Sequence, residues 1–281
     1  MSDEDYRRTR RLEWDEAGKR YDKLATGALA DLSAQAAAQV LAIAKLRDGE
    51  SVLDVGTGPG SPALEAAPLV SPNGKVTGID FAPSMIATAR RRAAELGIRS
   101  AEFMEMDAEH LGFPDDTFDA AISRYAYPHF TNARLALKET LRVLRPGGRL
   151  VAAMHGAAER NPYFGGPVAA LTRFHPDPSP ITERGPFGLS EPGALEAAMT
   201  AARFCDVTVR AYDTTITVDD FDQYWTAQKA GGAGVRRALA KVPEDRRPEA
   251  EAAALASMQP YVVDNRGSFP AQIIVGIGWK R

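Results

Sequence analysis

Residues 51–64 read SVLDVGTGPGSPAL, and this stretch decides the fold. A short apolar run containing Asp54 leads into Gly56, Gly58 and Gly60, which are separated by single residues. Glycine has no Cβ, so its backbone can adopt positive φ angles and lie directly against a ligand. A proline soon after the last glycine suits the first turn of a helix. The stretch therefore predicts a buried strand, a ligand-contacting turn and a helix.

Strand-like and helix-like segments alternate on both sides of this turn. The expected strands lie at 51–55, 75–80, 101–106, 119–123, 149–154, 206–218 and 271–279. The expected helices lie at 64–70, 83–96, 133–144 and 190–204, the last one opened by Ser190. Repeated strand–helix–strand units indicate a parallel sheet with helices on both faces. We therefore predict an α/β protein with a Rossmann-like, doubly wound, mostly parallel seven-stranded sheet, an antiparallel last strand and a helical lid insertion.

Changes in composition along the chain predict its domain organisation. Residues 156–189 are rich in Pro and Gly, and residues 219–268 are rich in Ala and helical in pattern, with a break at Pro243. We interpret these two segments as insertions that form a lid and bind the substrate. The other assignments are an N-terminal helical cover at 1–29 and a cofactor-binding core at 30–155, 190–218 and 269–281.

Bulk composition excludes several classes of function. The chain has 281 residues, 44% of them hydrophobic and 25% charged, which is typical of a globular protein with a large core. The formal charge of -3 argues against a nucleic-acid partner, because binding to phosphate backbones needs clustered cations. The arginines at 7–11 and 90–92 are interpreted as solvated helix faces. The single cysteine, Cys205, excludes an intramolecular disulfide and a cysteine-built metal site.

The sequence also carries an expectation about location. The N-terminal residues lack the apolar stretch of a signal peptide, and no apolar run approaches the length of a membrane span. We expect a cytoplasmic protein with no membrane partner.

The glycine turn differs from the two phosphate-binding turns that it could be confused with. The dinucleotide-binding fingerprint places its third glycine three positions after the second, where this chain has Ser61. The Gly-Lys-Ser/Thr of a phosphate loop is also missing from the turn. A ligand without a pyrophosphate is therefore favoured.

Three aspartates lie at or directly after the ends of the first three expected strands. Because adjacent parallel strands end side by side, Asp54, Asp80 and Asp107 are expected to line one crevice. A carboxylate after the second strand can accept both hydroxyls of a ribose, and Asp107 with the Ala108 amide can bind an adenine. This pattern indicates a nucleoside site. The side chains expected to enclose the adenine are those of Phe81 and Met85.

Four segments of the predicted core follow one another along the chain: VLDVGTGPG (52–60), VTGIDFAPSMIATA (76–89), MDAEHLGFPDDTFDAAIS (106–123) and ALKETLRVLRPGGRLV (136–151). In this order they resemble the successive motifs of class I S-adenosylmethionine-dependent methyltransferases. Within that superfamily the chain most resembles the small-molecule methyltransferases of ubiquinone and menaquinone biosynthesis. The resemblance implies S-adenosylmethionine as cofactor, S-adenosylhomocysteine as product and a small-molecule acceptor as partner.

The resemblance also implies roles for individual residues. The three glycines would pack against the methionine portion, Asp80 would hold the ribose, and Trp14 and Tyr21 of WDEAGKRYD would close over the cofactor. The full set of expected cofactor contacts is Trp14, Tyr21, Asp54, Gly56, Thr57, Gly58, Gly60, Asp80, Phe81, Met85, Asp107, Ala108, Ser123, Arg124 and Tyr125.

Methyl transfer from a sulfonium requires an in-line nucleophile, and positioning and exclusion of water supply most of the acceleration. A general base is optional, and no metal is expected. A hydroxyl or carbon-acid acceptor would profit from a base, for which His129 and His155 are candidates, and Tyr127 could orient the acceptor. A structural role for either histidine stays open. The lid aromatics that favour an apolar or aromatic acceptor are Tyr163, Phe164, Phe174, Phe187, Tyr224, Trp225, Tyr261 and Phe269.

Three functions fit these residues. The first is methylation of oxygen or carbon in a small metabolite, as in secondary metabolism. The second is an enzyme that retains the cofactor and uses the sulfonium electrostatically for rearrangement, decarboxylation or ring closure. The third is a non-catalytic cofactor-binding partner protein. The same turn and aspartates serve all three, so all three stay open, as does a homodimer.

Overall fold

The computed structural model describes residues 3–19, 28–176, 185–230 and 233–281. Its strands are β1 (Ser51–Val55), β2 (Lys75–Asp80), β3 (Ala101–Glu105), β4 (Phe118–Arg124), β5 (Leu144–His155), β6 (Cys205–Val218), β7 (Val262–Val263) and β8 (Arg266–Trp279). Its α-helices are α1 (Asp3–Lys19), α2 (Ala28–Ala44), α3 (Ala63–Val70), α4 (Pro83–Glu95), α5 (Ala133–Val143), α6 (Gly165–Thr172), α7 (Ala194–Ala201), α8 (Phe221–Ala230), α9 (Ala233–Ala240) and α10 (Arg247–Met258).

The strands form one sheet in the order β3-β2-β1-β4-β5-β8-β6, and the two-residue β7 pairs with β8 beside this path. All neighbours from β3 to β5 are parallel. Strand β8 runs antiparallel to both β5 and β6. The predicted fold class is confirmed, with the short β7 as an eighth strand that the sequence pattern did not indicate.

Each central strand is buried on both faces of the sheet. Because side chains alternate along a strand, Val52 faces one side of the sheet and Leu53 faces the other. The first side packs against α2, α3 and α4, and the second packs against α5 and α7. This two-sided burial explains why the strands read as continuous apolar runs.

Two local boundaries differ from expectation. Helix α7 begins after Gly193, which has a φ of 78°, whereas Ser190 donates its hydroxyl to the Phe187 carbonyl instead of opening the helix. Strand β5 begins at Leu144 and continues through the Pro-Gly-Gly sequence, where the Gly147 amide donates to the Lys280 carbonyl. The first difference reflects a competing local hydrogen bond, and the second reflects a long-range partner that extends the strand.

Two sets of helices cover the carboxyl edge of the sheet. Helix α1 packs on α4, and a Cβ on Gly18 would lie 2.3 Å from the Ser84 hydroxyl. The Ser84 amide also donates to Asp15 at 2.9 Å. On the other side, α8, α9 and α10 follow β6, and α10 packs on α6. In the ranges that the structure describes, no helix is both long and apolar enough to cross a membrane.

Candidate functional site

A cavity of about 730 Å³ lies at the carboxyl ends of β1, β2 and β4, between α1 and the lid helices. Its volume falls within the range of about 300–1,000 Å³ that is typical of small-ligand sites. The predicted cofactor residues on its wall are Trp14, Gly56, Thr57, Gly58, Asp80, Phe81, Met85, Asp107, Ala108, Arg124 and Tyr125. The candidate bases His129 and His155 also line it.

The glycine turn has the backbone conformation that its sequence predicts. Gly56, Gly58 and Gly60 have φ angles of 69°, 54° and 102°, all in the region that favours glycine. A Cβ on Gly56 would lie 2.3 Å from the Cβ of Ala126, and one on Gly58 would meet nothing within 4 Å. A Cβ on Gly60 would instead meet Leu64 of α3 at 2.9 Å. Gly60 is not among the residues that line the cavity. It supports the turn by packing closely against α3.

Asp54 lies under the turn and not in the cavity. Its side chain is fully buried, and Oδ2 accepts hydrogen bonds from the Thr57 hydroxyl at 2.7 Å and the Ala63 amide at 3.1 Å. Burial raises the pKa of Asp54 to about 7, partly offset by the Thr57 hydrogen bond and by Arg124. The expectation that all three aspartates line one crevice is therefore wrong for Asp54, which anchors the turn to α3.

Asp80 ends β2 with its carboxylate on the cavity wall. Its Oδ2 accepts from the Gly58 amide at 3.0 Å, and its Oδ1 accepts from the Ala82 amide at 2.9 Å. A carboxylate offers about four acceptor positions, so about two remain for a ligand. Burial raises the pKa of Asp80 to about 6, while the two amide donors lower it. The site can thus accept a pair of ligand hydroxyls.

Asp107 lies farther along the same edge. Its carboxylate accepts from the Glu109 amide at 2.9 Å and lies 3.6 Å from the Arg7 guanidinium. His110 contacts it from the exposed side at 3.3 Å. Ala108, next in the chain, lines the cavity, so this end combines a carboxylate with a backbone turn.

The N-terminal helix contributes an arginine that the sequence interpretation placed in solvent. Arg10 is 2% exposed and lines the cavity, with its guanidinium 5.3 Å from the centre of the Trp14 ring. Arg92 is half-buried and donates to the Pro59 carbonyl in the glycine turn at 2.9 Å. The interpretation of both arginine clusters as solvated faces is therefore wrong for these two residues. The predicted contact Tyr21 lies outside the described residues.

Two residues expected near the cavity point away from it. The Ser123 hydroxyl is buried and donates to the Val55 carbonyl at 2.8 Å. Tyr127 is fully buried, and its hydroxyl lies 2.8 Å from the Thr140 hydroxyl of α5. Neither is among the lining residues. The expectation that Tyr127 orients an acceptor is wrong, because its ring packs between the sheet and α5.

Arg124 and Tyr125 present polar atoms to the cavity. Arg124 donates to the Ser61 carbonyl at 3.3 Å, and its guanidinium lies 5.7 Å from the centre of the Tyr125 ring. Among the described residues, the Arg124 Nε and the Tyr125 hydroxyl are buried without a hydrogen-bond partner. Leaving such groups unpaired costs about 1–3 kcal/mol each.

Both candidate bases are neutral near pH 7. Burial, followed by the charges of Arg10 and Arg237, holds the pKa of His129 well below its usual range. Burial and then Arg124 lower the pKa of His155 to about 4. The His155 ring stacks on Tyr125 at 4.1 Å, and its Nδ1 lies 3.2 Å from the Tyr163 hydroxyl. Each ring is therefore uncharged near pH 7 and a weaker base than a free imidazole.

The lid aromatics divide into wall and core. Tyr163, Phe164 and Tyr224 line the cavity, and the Tyr224 hydroxyl donates to the Tyr163 carbonyl at 2.9 Å. Phe187, Trp225 and Phe269 are buried but are not lining residues. Within the described ranges, no group of three or more His, Cys, Asp or Glu residues is arranged to hold a metal. The charged lining residues that sequence reasoning missed are Arg7, Arg10, Asp31, Glu109, Asp219, Asp220 and Arg237.

Comparison with known proteins agrees with the resemblance to methyltransferases seen in the sequence. Residues 52–148 match a family described as a methyltransferase domain. Over 140 residues, half of this chain, it is 38% identical to the uncharacterized methyltransferase YcgJ of Bacillus subtilis, covering 53% of YcgJ. The crystal structure of YcgJ superposes with a TM-score of 0.60 at 25% identity, covering 88% of this chain and 98% of YcgJ.

Two further relatives carry substrate names. The chain is 35% identical over 150 residues to aklanonic acid methyltransferase DauC of Streptomyces sp. (strain C5), covering 53% of this chain and 66% of DauC. It is 45% identical over 100 residues to demethylmenaquinone methyltransferase of Thermus thermophilus, covering 36% of this chain and 44% of that protein. The matched segments cover 53%, 66% and 44% of the lengths of YcgJ, DauC and the Thermus enzyme. The domain match, these relatives and the shared fold show that residues 52–148 form a methyltransferase domain of the class I S-adenosylmethionine-dependent superfamily.

Proposed function

We propose that this protein transfers a methyl group from S-adenosylmethionine to an oxygen or carbon of a small, apolar or aromatic acceptor. The observation that carries the proposal is that Asp80, the glycine turn, His129 and His155 all line one cavity. The names of DauC and of the demethylmenaquinone enzyme, which act on small molecules, support an acceptor of this kind, including one from secondary metabolism.

The residues of the cavity fit the cofactor. Asp80 has acceptor positions left for two ribose hydroxyls, and Gly56 and Gly58 leave room for close backbone contact. The guanidinium of Arg124, which lines the cavity beside the glycine turn, suits the carboxylate of the methionine portion. When bound, S-adenosylmethionine supplies an activated methyl group. The remaining residues proposed to enclose the adenosine are Trp14, Phe81, Met85, Asp107 and Ala108.

The chain would contribute orientation, exclusion of water and acceptance of a proton. Tyr163, Phe164 and Tyr224 form an apolar wall that keeps water from the reacting atoms. His155 is fixed between Tyr125 and the Tyr163 hydroxyl, and its neutral ring can take a proton from an acceptor hydroxyl or carbon acid. His129, also neutral, is the alternative base.

Turnover with a panel of phenols, quinones and aromatic acids tests the proposal. The purified protein is incubated with methyl-labelled S-adenosylmethionine, and the mixture is analysed by mass spectrometry. Methylated acceptor together with S-adenosylhomocysteine is the expected result. An isomerised or decarboxylated product without S-adenosylhomocysteine would instead support use of the sulfonium as an electrostatic element. No binding of S-adenosylhomocysteine in calorimetry would refute all of these functions.

A further inference from the structure

Two arginines from different covering helices meet at one point of the cavity wall. Arg10 of α1 contacts Oε2 of Glu13 through its Nη1, and Arg237 of α9 lies 3.5 Å from the same oxygen through its Nε. Both arginines line the cavity. Two cations thus share one carboxylate, which leaves one positive charge in excess.

Of these three groups, Arg10 is the one that water hardly reaches, whereas about a quarter of the Arg237 and Glu13 side chains is exposed. Arg10 is 2% exposed, its Nη2 lies 3.3 Å from Nδ1 of His129, and its Nε is buried with no partner among the described residues. Burial, followed by the charge of Arg237, lowers the pKa of Arg10. An incompletely paired cation is costly to bury, so such an arrangement favours a ligand that brings the missing negative charge.

We propose that Arg10 and Arg237 bind a carboxylate of the acceptor, so that the acceptor class is a small aromatic or apolar acid held beside His129. A guanidinium presents its donors in a planar fork that matches a carboxylate. The proposal rests on the proposed function, since it concerns the acceptor half of the same cavity. Because the arginines belong to α1 and α9, one carboxylate would join the two covers of the site.

The cofactor also carries a carboxylate, but the structure offers it a different partner. Arg124 donates to the Ser61 carbonyl, directly after the glycine turn, and has its own unpaired Nε on that side. Arg7, the other lining arginine, contacts Glu109 at 2.7 Å and Asp107 at 3.6 Å. The pair on the covering helices is therefore available for the acceptor.

The test compares two probes of nearly equal size and shape, 1-naphthoate and its neutral amide, by calorimetry in saturating S-adenosylhomocysteine. We expect the parent protein to bind the acid about tenfold more tightly than the amide, or better, since hydrogen bonds to charged groups are the stronger ones. Arg237→Met should bring the affinity for the acid down to that for the amide. Arg236→Met is the matched control, because Arg236 lies on the same helix but is not among the described residues that line the cavity.

The possible results show whether the two arginines bind the carboxylate of the acceptor, the carboxylate of the cofactor or neither. Equal affinity for acid and amide in the parent, or no binding of either, would overturn the inference, as would a preference that survives in Arg237→Met. Arg10→Met repeats the test from the other helix, and circular dichroism checks that it folds. If Arg237→Met loses S-adenosylhomocysteine and Arg124→Met does not, the pair serves the cofactor and the inference is overturned. A parent that fails to bind S-adenosylhomocysteine would overturn the proposed function itself.

Discussion

At the scale of single residues, Asp54 and Asp80 show how the same residue type at neighbouring strand ends acquires different tasks. The Asp54 carboxylate turns back under the glycine turn to Thr57 and Ala63. The Asp80 carboxylate reaches the cavity wall, where two backbone amides hold it. The difference lies in the direction of the side chain and not in its chemistry.

Asp80→Asn should weaken the binding of S-adenosylhomocysteine. The amide has one acceptor oxygen in place of two and no charge, so it cannot serve the Gly58 and Ala82 amides and a ribose together. We expect a loss of roughly 1–3 kcal/mol, measured by calorimetry. The control is Asp48→Asn, an exposed aspartate that bonds Asn73. Unchanged affinity in a folded Asp80→Asn would contradict the ribose assignment.

Asp54 should make stability depend on pH. With its pKa raised to about 7, the native state keeps a proton that the unfolded chain releases near pH 4. Stability from this group therefore falls as the pH rises between these two values. Asp54→Asn keeps an acceptor for Thr57 and cannot ionise, so its free energy of unfolding should fall less between about pH 5 and pH 8 than that of the parent. Urea unfolding across this range measures the difference, and equal slopes would contradict it.

At the scale of elements, the local sequence of the glycine turn is enough to specify its backbone conformation. Positive φ angles are a local property of the backbone, and the alternating glycines predict them. The closeness of Gly56 to Ala126, two residues after β4, depends on β4 lying beside β1, which parallel pairing provides. Helix α1 is different, since its arginine-rich sequence gives no sign of which side chains turn inward.

Gly56→Ala should abolish tight cofactor binding, and Gly97→Ala should not. Both glycines have nearly the same φ, 69° and 68°, so both variants incur a similar backbone penalty of roughly 1–2 kcal/mol. Only at Gly56 would the new Cβ meet another atom, at 2.3 Å, whereas nothing lies within 4 Å at Gly97. Thermal unfolding and calorimetry with S-adenosylhomocysteine compare the two variants. Equal affinities would mean that the turn does not contact the ligand.

At the scale of the whole molecule, the cavity is a joint product of the sheet, α1 and the lid. The sheet edge alone would leave the histidines open to water. Arg10 and Trp14 of α1 cover His129, and Tyr224 of α8 and Arg237 of α9 continue the cover, which meets α1 at Glu13. Enclosure explains why burial dominates the lowered pKa of both histidines.

Ligand binding should therefore protect the covers more than the core. In hydrogen exchange monitored by mass spectrometry, saturating S-adenosylhomocysteine should slow exchange in α1 and α8, which line the cavity, because a bound ligand opposes local opening of these helices. Helix α5 lies on the opposite face of the sheet and serves as the internal control. Equal slowing of α5 would indicate global stabilisation alone, and no slowing of α1 would contradict its role as a cover.

The sequence by itself determined the alternation of strands and helices, the positive φ angles of the glycine turn and the placement of aspartates after successive strands. These follow from local patterns of apolar residues, glycine and proline, which act over a few residues. Only the tertiary structure decided which side chains reach the ligand. It placed Asp54, Ser123 and Tyr127 in the buried interior, away from the cavity. It also brought Arg10 and Arg237, which are far apart in sequence, to the same carboxylate of Glu13. Side-chain direction and long-range pairing depend on how whole elements pack, and no local pattern encodes that packing.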